Sequence, residues 1–562
     1  MSDVTSASPN GTAQNGSQDA AFEQLVKARF DRIVERYPVY GSFLGLHQYD
    51  SQLGTHTREH HIQEIEDSTR FLSALEGIDR QQLSAANQVE RDLAIHVTRR
   101  NIFDEDVHRV WERRASGTDD VGDGLFLLFA RTTRPFAERL EAMSARLEQA
   151  PRVLDEQRTK LGARPQRLWN ELELDAVGSL PGLFGEIINA ARTEFGEGSV
   201  EVARVEQASR KATEALEDYG KWLREQLGRA DDEFALGTDR YDELVRLREF
   251  DGLSTDDILA IGEQQLAENK ARRREVATQI DAQASEQDVL DRVKSDQPAT
   301  FAEALDGYRR AMAEARAFVA EHGIASIPPS EQLSIIETPE YLRRVLPFAA
   351  YFPAAKFEPV RAGVYIVTPS VDGEKRAMRE HNWGSIYNTS IHEAYPGHHQ
   401  QMSAALDHPS LVRLFVDAPE FVEGWAMYCE QMMREEGFDT APDRLVMMYT
   451  DAIWRACRII LDIRLHRGEV GVEEAIDFMV EHTGFERPNA TAEVERYTYT
   501  PTYQLSYLLG KVLLLRLRAD QEARLGDKFS LRGFHDALLA GGNIPISFHR
   551  RALAAANGAK PT

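Results

Sequence analysis

Residues 20–37 read AAFEQLVKARFDRIVERY, and Phe22, Leu25, Val26, Phe30 and Ile33 fall on one stripe at helical spacing. The same signature recurs at 136–160, 200–228, 254–285 and 300–322, with Ser254 or Thr255 as N-cap of the third of these. Their Ala, Leu, Glu and Arg content adds intrinsic helix propensity, and their charged faces read as solvated surface. The pattern resumes through 386–436, 442–466, 472–482 and 502–526. The clearest strand candidate is Gly363–Thr368, GVYIVT, β-branched and aromatic, with Gly363 and Pro369 at its ends. These readings predict a mainly α fold, a large two-lobed helical body with one small β strand or hairpin.

Working outward, residues 1–18 are rich in Ser, Asn, Gly and Thr and are expected to form a disordered tail. The polar stretch SEQDVLDRVKSDQPAT at 285–300 marks a soft boundary. It divides an N-terminal helical lobe, 19–290, from a C-terminal helical lobe, 300–562, within one continuous domain. No internal repeat is visible. Acidic residues outnumber basic ones by 91 to 66, a formal net charge of -25, and there is no long Lys/Arg run. Such a surface repels phosphate backbones and anionic membranes, so neither nucleic acid nor membrane is an expected partner. Two cysteines, Cys429 and Cys457, make no disulfide framework and no Cys-x-x-Cys pair. No basic-then-apolar leader opens the chain and no apolar run could span a bilayer, so a cytoplasmic location is expected.

The residues that carry chemistry centre on 390–400, SIHEAYPGHHQ. A zinc peptidase helix normally reads H-E-x-x-H, because residues four apart stack one turn above one another. Here the position four after His392 is Pro396, so that motif is absent. In an unbroken helix His398 would be rotated by about 240° from His392, and His399 would lie about 10 Å up the axis. Pro396 and Gly397 permit a break that swings a later histidine back, and the residue directly after the glycine, His398, suits it better than His399. Glu393, beside a ligand, is placed to act as general base. A second segment, FVEGWAMYCE at 421–430, begins a helix whose Glu423 lies 25 residues after His398. Gly424 and Ala426 are small and would let that helix approach a metal closely. Glu430, one heptad further, is the rival ligand.

H-E-x-Y-P-G-H-H followed by E-G-W-A-x-Y-x-E resembles the bacterial family called domain of unknown function 885. YPVYGSFLGLHQYD, FALGTDRYDELV, RAGVYIVTP and FHDALLAGGNIP resemble it too, so the likeness covers nearly the whole chain after the tail. The family is similar to gluzincin metallopeptidases, and the resemblance implies a helical fold with a zinc (Zn2+) site on His392, His398 and Glu423. The E-G-F-A segment of gluzincin aminopeptidases, whose Glu is the third ligand, supports Glu423 over Glu430. Glu393, Tyr507 and Arg496 are then the catalytic candidates, and Tyr365, Lys511 and His466 the substrate-contacting ones. Asp462 and His466, one turn apart, read as a pair orienting a ligand or as an ordinary helix-face contact. Where the family most often has Gly-Gln after the proline, this chain has Thr502-Tyr503, which puts any role of Gln504 in doubt. The expected activity is hydrolysis of peptide or amide bonds in small substrates. Two rival expectations stand beside it, a non-proteolytic amide or acyl-amino-acid hydrolase of secondary metabolism and an inactive zinc scaffold that binds peptides.

Overall fold

A computed structural model describes residues 10–338, 349–369 and 377–556. Helices make up 73% of it, with one three-stranded sheet, as the mainly α expectation requires. The chain divides into two compact units: unit 1 holds residues 1–181, 187–231 and 409–417, and unit 2 holds 182–186, 232–408 and 418–562. The polar stretch expected to separate the lobes lies inside unit 2 as the helix Glu286–Ser295. Its Val289, Leu290 and Val293 bury against Val276, Ala277, Val446 and Met447, an apolar stripe that the surrounding charges obscure in the sequence.

In unit 1 the first helix, Asn10–Arg36, begins inside the stretch read as a tail; residues 1–9 lie outside the described residues. Phe22, Val26, Phe30 and Val34 are its buried stripe, spaced four apart, with Leu25 and Ile33 at the flanks. Arg36 is buried too, matched by Glu64 at 3.1 Å and Asp67 at 2.8 Å. The helices Phe136–Lys160 and Val200–Leu227 pack together through Met143, Leu147, Ala150, Ala208, Ala212 and Leu216. Residues 409–417 belong to this unit: Leu411, Leu414 and Phe415 pack on Phe30, Val34 and Leu44, and Arg413 pairs with Glu90 at 2.6 Å.

In unit 2 the helix Thr255–Ile280 lies along Pro442–Arg467, and Pro419–Glu435 along Ser506–Leu525. Ser254 caps the first of these in a reciprocal capping box with Asp257. Strands β1 (Glu331–Glu337), β2 (Ala349–Phe352) and β3 (Arg361–Val367) form the sheet in the order β1-β3-β2, with β1 parallel and β2 antiparallel to β3. The expected GVYIVT strand is β3, the central one, and Tyr365, Ile366 and Val367 are buried on it. The edge strand β1, EQLSIIE, has no continuous apolar run, which is why the hydrophobic pattern does not announce it.

Candidate metal centre

The helix Trp383–Glu393 starts on an Asn382 cap, whose side chain accepts from the Ser385 amide, and stops at Ala394. The Tyr395–Pro396 peptide is cis, and the helix His398–Ala405 begins directly after Gly397. The Gly397 amide donates back to the Ile391 carbonyl at 3.1 Å, folding the break tightly over the end of the first helix. A Cβ at position 397 would stand 1.9 Å from the His392 carbonyl oxygen, so only glycine fits there. Trp425 pins the turn from outside, its indole N–H donating to the Pro396 carbonyl at 2.8 Å.

The result brings His398 back to His392. Their rings stand 4.8 Å apart and perpendicular. Nε2 of His392 lies 3.6 Å and Nε2 of His398 3.4 Å from Oε2 of Glu423. Those separations are too long for good hydrogen bonds. They match the edge of a tetrahedron whose corners lie about 2.1 Å from a central ion, roughly 3.4 Å. One donor atom from each of the three residues falls within 4.8 Å of the others, and among the described residues no other cluster of this kind occurs. The donor set, two imidazoles and a carboxylate, fits zinc.

Glu430 takes a different place from the rival ligand it resembled. Its Oε1 accepts from Nδ1 of His392 at 2.7 Å, which fixes the tautomer and leaves Nε2 for an ion. Asn388 in turn bridges Glu430 at 3.0 Å and Asp451 at 2.9 Å. Burial opposes charging of His392, but the carboxylates of Glu423, Glu430 and Glu393 outweigh it and raise its pKa to about 10. Burial likewise opposes charging of Glu423, yet His398 and His392 hold its carboxyl well below the usual range. An electrostatic environment that favours a proton so strongly also favours a metal cation in its place.

His399 is turned away. It is fully buried, with Nε2 donating to Glu331 at 2.6 Å and Nδ1 accepting from the Tyr351 hydroxyl at 2.9 Å. Tyr395 at 2.7 Å and Arg316 at 2.9 Å complete the circle around Glu331, tying β1 and β2 to the ligand turn. Gly363 on β3 makes room for it, since a Cβ there would meet both His399 and Tyr351 at 2.7 Å.

The remaining expected residues divide. Glu393 is half-buried beside His392. Tyr365 is fully buried, its hydroxyl has no hydrogen-bond partner among the described residues, and after burial itself the charges of Tyr308 and Glu393 act on it. Tyr507 is close: its hydroxyl lies 3.4 Å from that of Tyr503, which lies 3.4 Å from Glu423. Tyr503 was missed because its position departs from the family pattern. Arg496 bonds Glu493 at 3.1 Å, beside a second arginine, Arg458, that sequence reading did not single out. Lys511 is buried on the same helix as Tyr507, and burial lowers its pKa against the pull of Glu430 and Glu435.

The structure does not bring His466 to the triad. It is buried, stacked on Tyr241, and bonded to the Tyr497 carbonyl at 2.9 Å. Burial drops its pKa to about 4. Its supposed partner Asp462 instead accepts from Tyr241 at 2.6 Å and from the Thr502 amide at 2.8 Å, holding the turn before Tyr503. Gln504 bonds Thr500 at 2.8 Å. Gly424 is small for another reason than metal approach: it meets Gly510, and a Cβ on Gly510 would fall 2.0 Å from the Glu420 carbonyl oxygen.

The chain belongs to the family described as bacterial protein of unknown function (DUF885), which matches residues 38–553. Two solved structures share its fold. One, a candidate lipoprotein of unknown function from Shewanella oneidensis, is 21% identical with a TM-score of 0.76, covering 95% of this chain and 99% of the other. A candidate lipoprotein from Colwellia psychrerythraea is 20% identical with a TM-score of 0.82, covering 97% and 99%. No curated protein matches the chain. Among the described residues no helix is long and apolar enough to cross a membrane.

Proposed function

We propose that the chain is a zinc-dependent hydrolase, gluzincin-like in its chemistry, that cleaves peptide or other amide bonds of small substrates. The observation that carries this is the convergence of His392, His398 and Glu423 to within 4.8 Å, with Glu393 next in the chain to His392. Zinc, when bound there, supplies Lewis-acid chemistry and lowers the pKa of a water molecule towards neutrality. Glu393 takes the proton of the attacking water and passes it to the leaving amine. Tyr503 and Tyr507, with hydroxyls on the Glu423 side, donate hydrogen bonds to the oxyanion that develops on the carbonyl. Glu430 keeps His392 in the ligating tautomer. His392 at 8% and His398 at 6% exposure leave only a narrow approach, which favours slender substrates over folded proteins.

The cytoplasmic location expected from the sequence stands as a proposal only, and the candidate-lipoprotein descriptions of the two neighbours weigh against it. Cell fractionation with an antibody to the chain decides it.

The test of function is metal analysis with an activity screen over peptide libraries and N-acyl amino acids. One zinc per chain is expected, and Glu393→Gln should keep it while losing about a hundredfold or more in turnover. Cleavage confined to N-acyl amino acids would favour the non-proteolytic hydrolase. Zinc without cleavage of either class would make the chain a binding scaffold and sink the proposal.

A further inference from the structure

Beside the two tyrosines stand two guanidiniums that share the carboxylate of Glu493. Arg458 is buried, donating to Glu493 at 2.7 Å and to the Tyr497 hydroxyl at 3.1 Å, with its guanidinium 4.6 Å from the centre of the Tyr507 ring. Arg496 also reaches Glu493, at 3.1 and 3.2 Å, but its side chain is 32% exposed. Its Nε and Nη1 make no hydrogen bond among the described residues. Burial would raise the Glu493 pKa, yet the two arginines hold it at about 2, so the carboxylate stays ionised and the cluster keeps one positive charge. On a chain of net charge -25, a part-exposed arginine held by one carboxylate edge and the Tyr497 ring stands out.

The cluster adjoins the tyrosines beside the candidate centre. Tyr507 touches Arg458 on one side and Tyr503 on the other, and Tyr503 lies 3.4 Å from Glu423. Followed contact by contact, the path from Glu423 through the tyrosines to Arg458 is about four extended residues long at roughly 3.5 Å each, and Arg496 lies one carboxylate further.

We propose that Arg496, backed by Arg458, binds a carboxylate of the substrate, so that the reacting amide lies a few residues from that carboxylate. The first choice for it is the C-terminus of a short peptide, whose two oxygens suit the planar fork of a guanidinium. Glu493 holds both arginines in place and keeps Arg496 from folding over the acidic surface. This inference rests on the hydrolase reading for the word substrate, while the carboxylate pocket itself does not depend on cleavage.

The experiment uses the full-length zinc-loaded chain carrying Glu393→Gln, dialysed against random tetrapeptide libraries and read by mass spectrometry. The libraries are free acids or C-terminal amides, each with and without Asp and Glu. Retention of free acids over amides by on the order of tenfold or more is expected, the usual worth of hydrogen bonds to a charged group. Adding Arg496→Gln should bring the ratio to about one, and Arg496→Lys should restore part of it. Retention of amides that carry Asp or Glu, lost with Arg496→Gln, supports the pocket and assigns it a side-chain carboxylate. Equal retention of acids and amides, retention of neither, or a preference that survives Arg496→Gln overturns it. If the preference holds while the chain with Glu393 intact cleaves none of the retained peptides, the hydrolase reading fails and the pocket stands.

Discussion

His398 and His399 are neighbours in the chain with opposite surroundings. One faces Glu423 across 3.4 Å, and the other is locked between Glu331 and Tyr351. His398→Ala is therefore expected to abolish stoichiometric zinc with little loss of stability. His399→Ala should retain zinc but unfold more easily, by about 2 kcal/mol or more, because it removes a fully buried ring and its bonds to Glu331 and Tyr351. Metal analysis and urea titration of the two variants check this, and full zinc in His398→Ala would overturn the assignment. The choice between these histidines was legible in the sequence only as far as Pro396 and Gly397 demanded a break. What the break does depends on Trp425, on carbonyls 391 and 392 and on the space at Gly363, none of which local periodicity encodes. Glu423 was legible because it and its small neighbours Gly424 and Ala426 share one helix. Tyr503 and Arg458 were not, because their relation to Glu423 exists only after three helices have packed.

At the scale of elements, two helices carry Glu423 and Tyr507 and cross with their backbones in contact at Gly424 and Gly510. Gly510→Ala should push them apart and cost about 3 kcal/mol or more, at the upper end of overpacking effects. Tm and zinc content should both fall, and an unchanged Tm would disprove the contact. Asp462 anchors the turn that presents Tyr503, and burial raises its pKa to about 7, against the Tyr241 and Thr502 hydrogen bonds. A carboxyl with a raised folded pKa stabilises the fold when protonated. Its contribution is complete below its unfolded pKa near 3.8 and is lost as pH rises towards 7. Each tenfold change in proton affinity between the folded and unfolded chain is worth about 1.4 kcal/mol, so the loss reaches a few kcal/mol. Asp462→Asn keeps the acceptor oxygen without the charge, so its stability relative to the parent should rise between pH 5 and pH 8. Denaturant midpoints at those two values measure it, and a constant difference would refute the buried charge. Helices of this kind were readable from their stripes, whereas β1 and the helix Glu286–Ser295 hid because their apolar residues are few and set among charges.

Over the whole molecule, the division into units does not follow the order of the chain. Unit 2 carries the candidate metal residues, yet the segment 409–417 between the second and third of them belongs to unit 1, held by Glu90 through Arg413 and Ser410. Glu90→Gln removes the buried carboxylate that pairs with Arg413 and accepts from Ser410, and should cost about 2 kcal/mol or more in unit 1. Hydrogen exchange should rise across 409–417, and exchange no faster than in the parent would show that the segment is held by other means.

That detour has a consequence for affinity. With 409–417 fastened, the chain between His398 and Glu423 is not a free loop, because its middle has already lost its freedom when unit 1 folds. Once it is released, the stretch 406–418 between the helices His398–Ala405 and Pro419–Glu435 gains freedom, while the Trp425–Pro396 bond still holds the two helices together. Closure entropy grows only with the logarithm of length, about 0.6 kcal/mol per doubling. Zinc binding in Glu90→Gln should therefore weaken a few-fold and survive, unlike the outright loss expected for His398→Ala. By linkage, zinc would then steady the segment 409–417 through the chain alone, without a shared side chain.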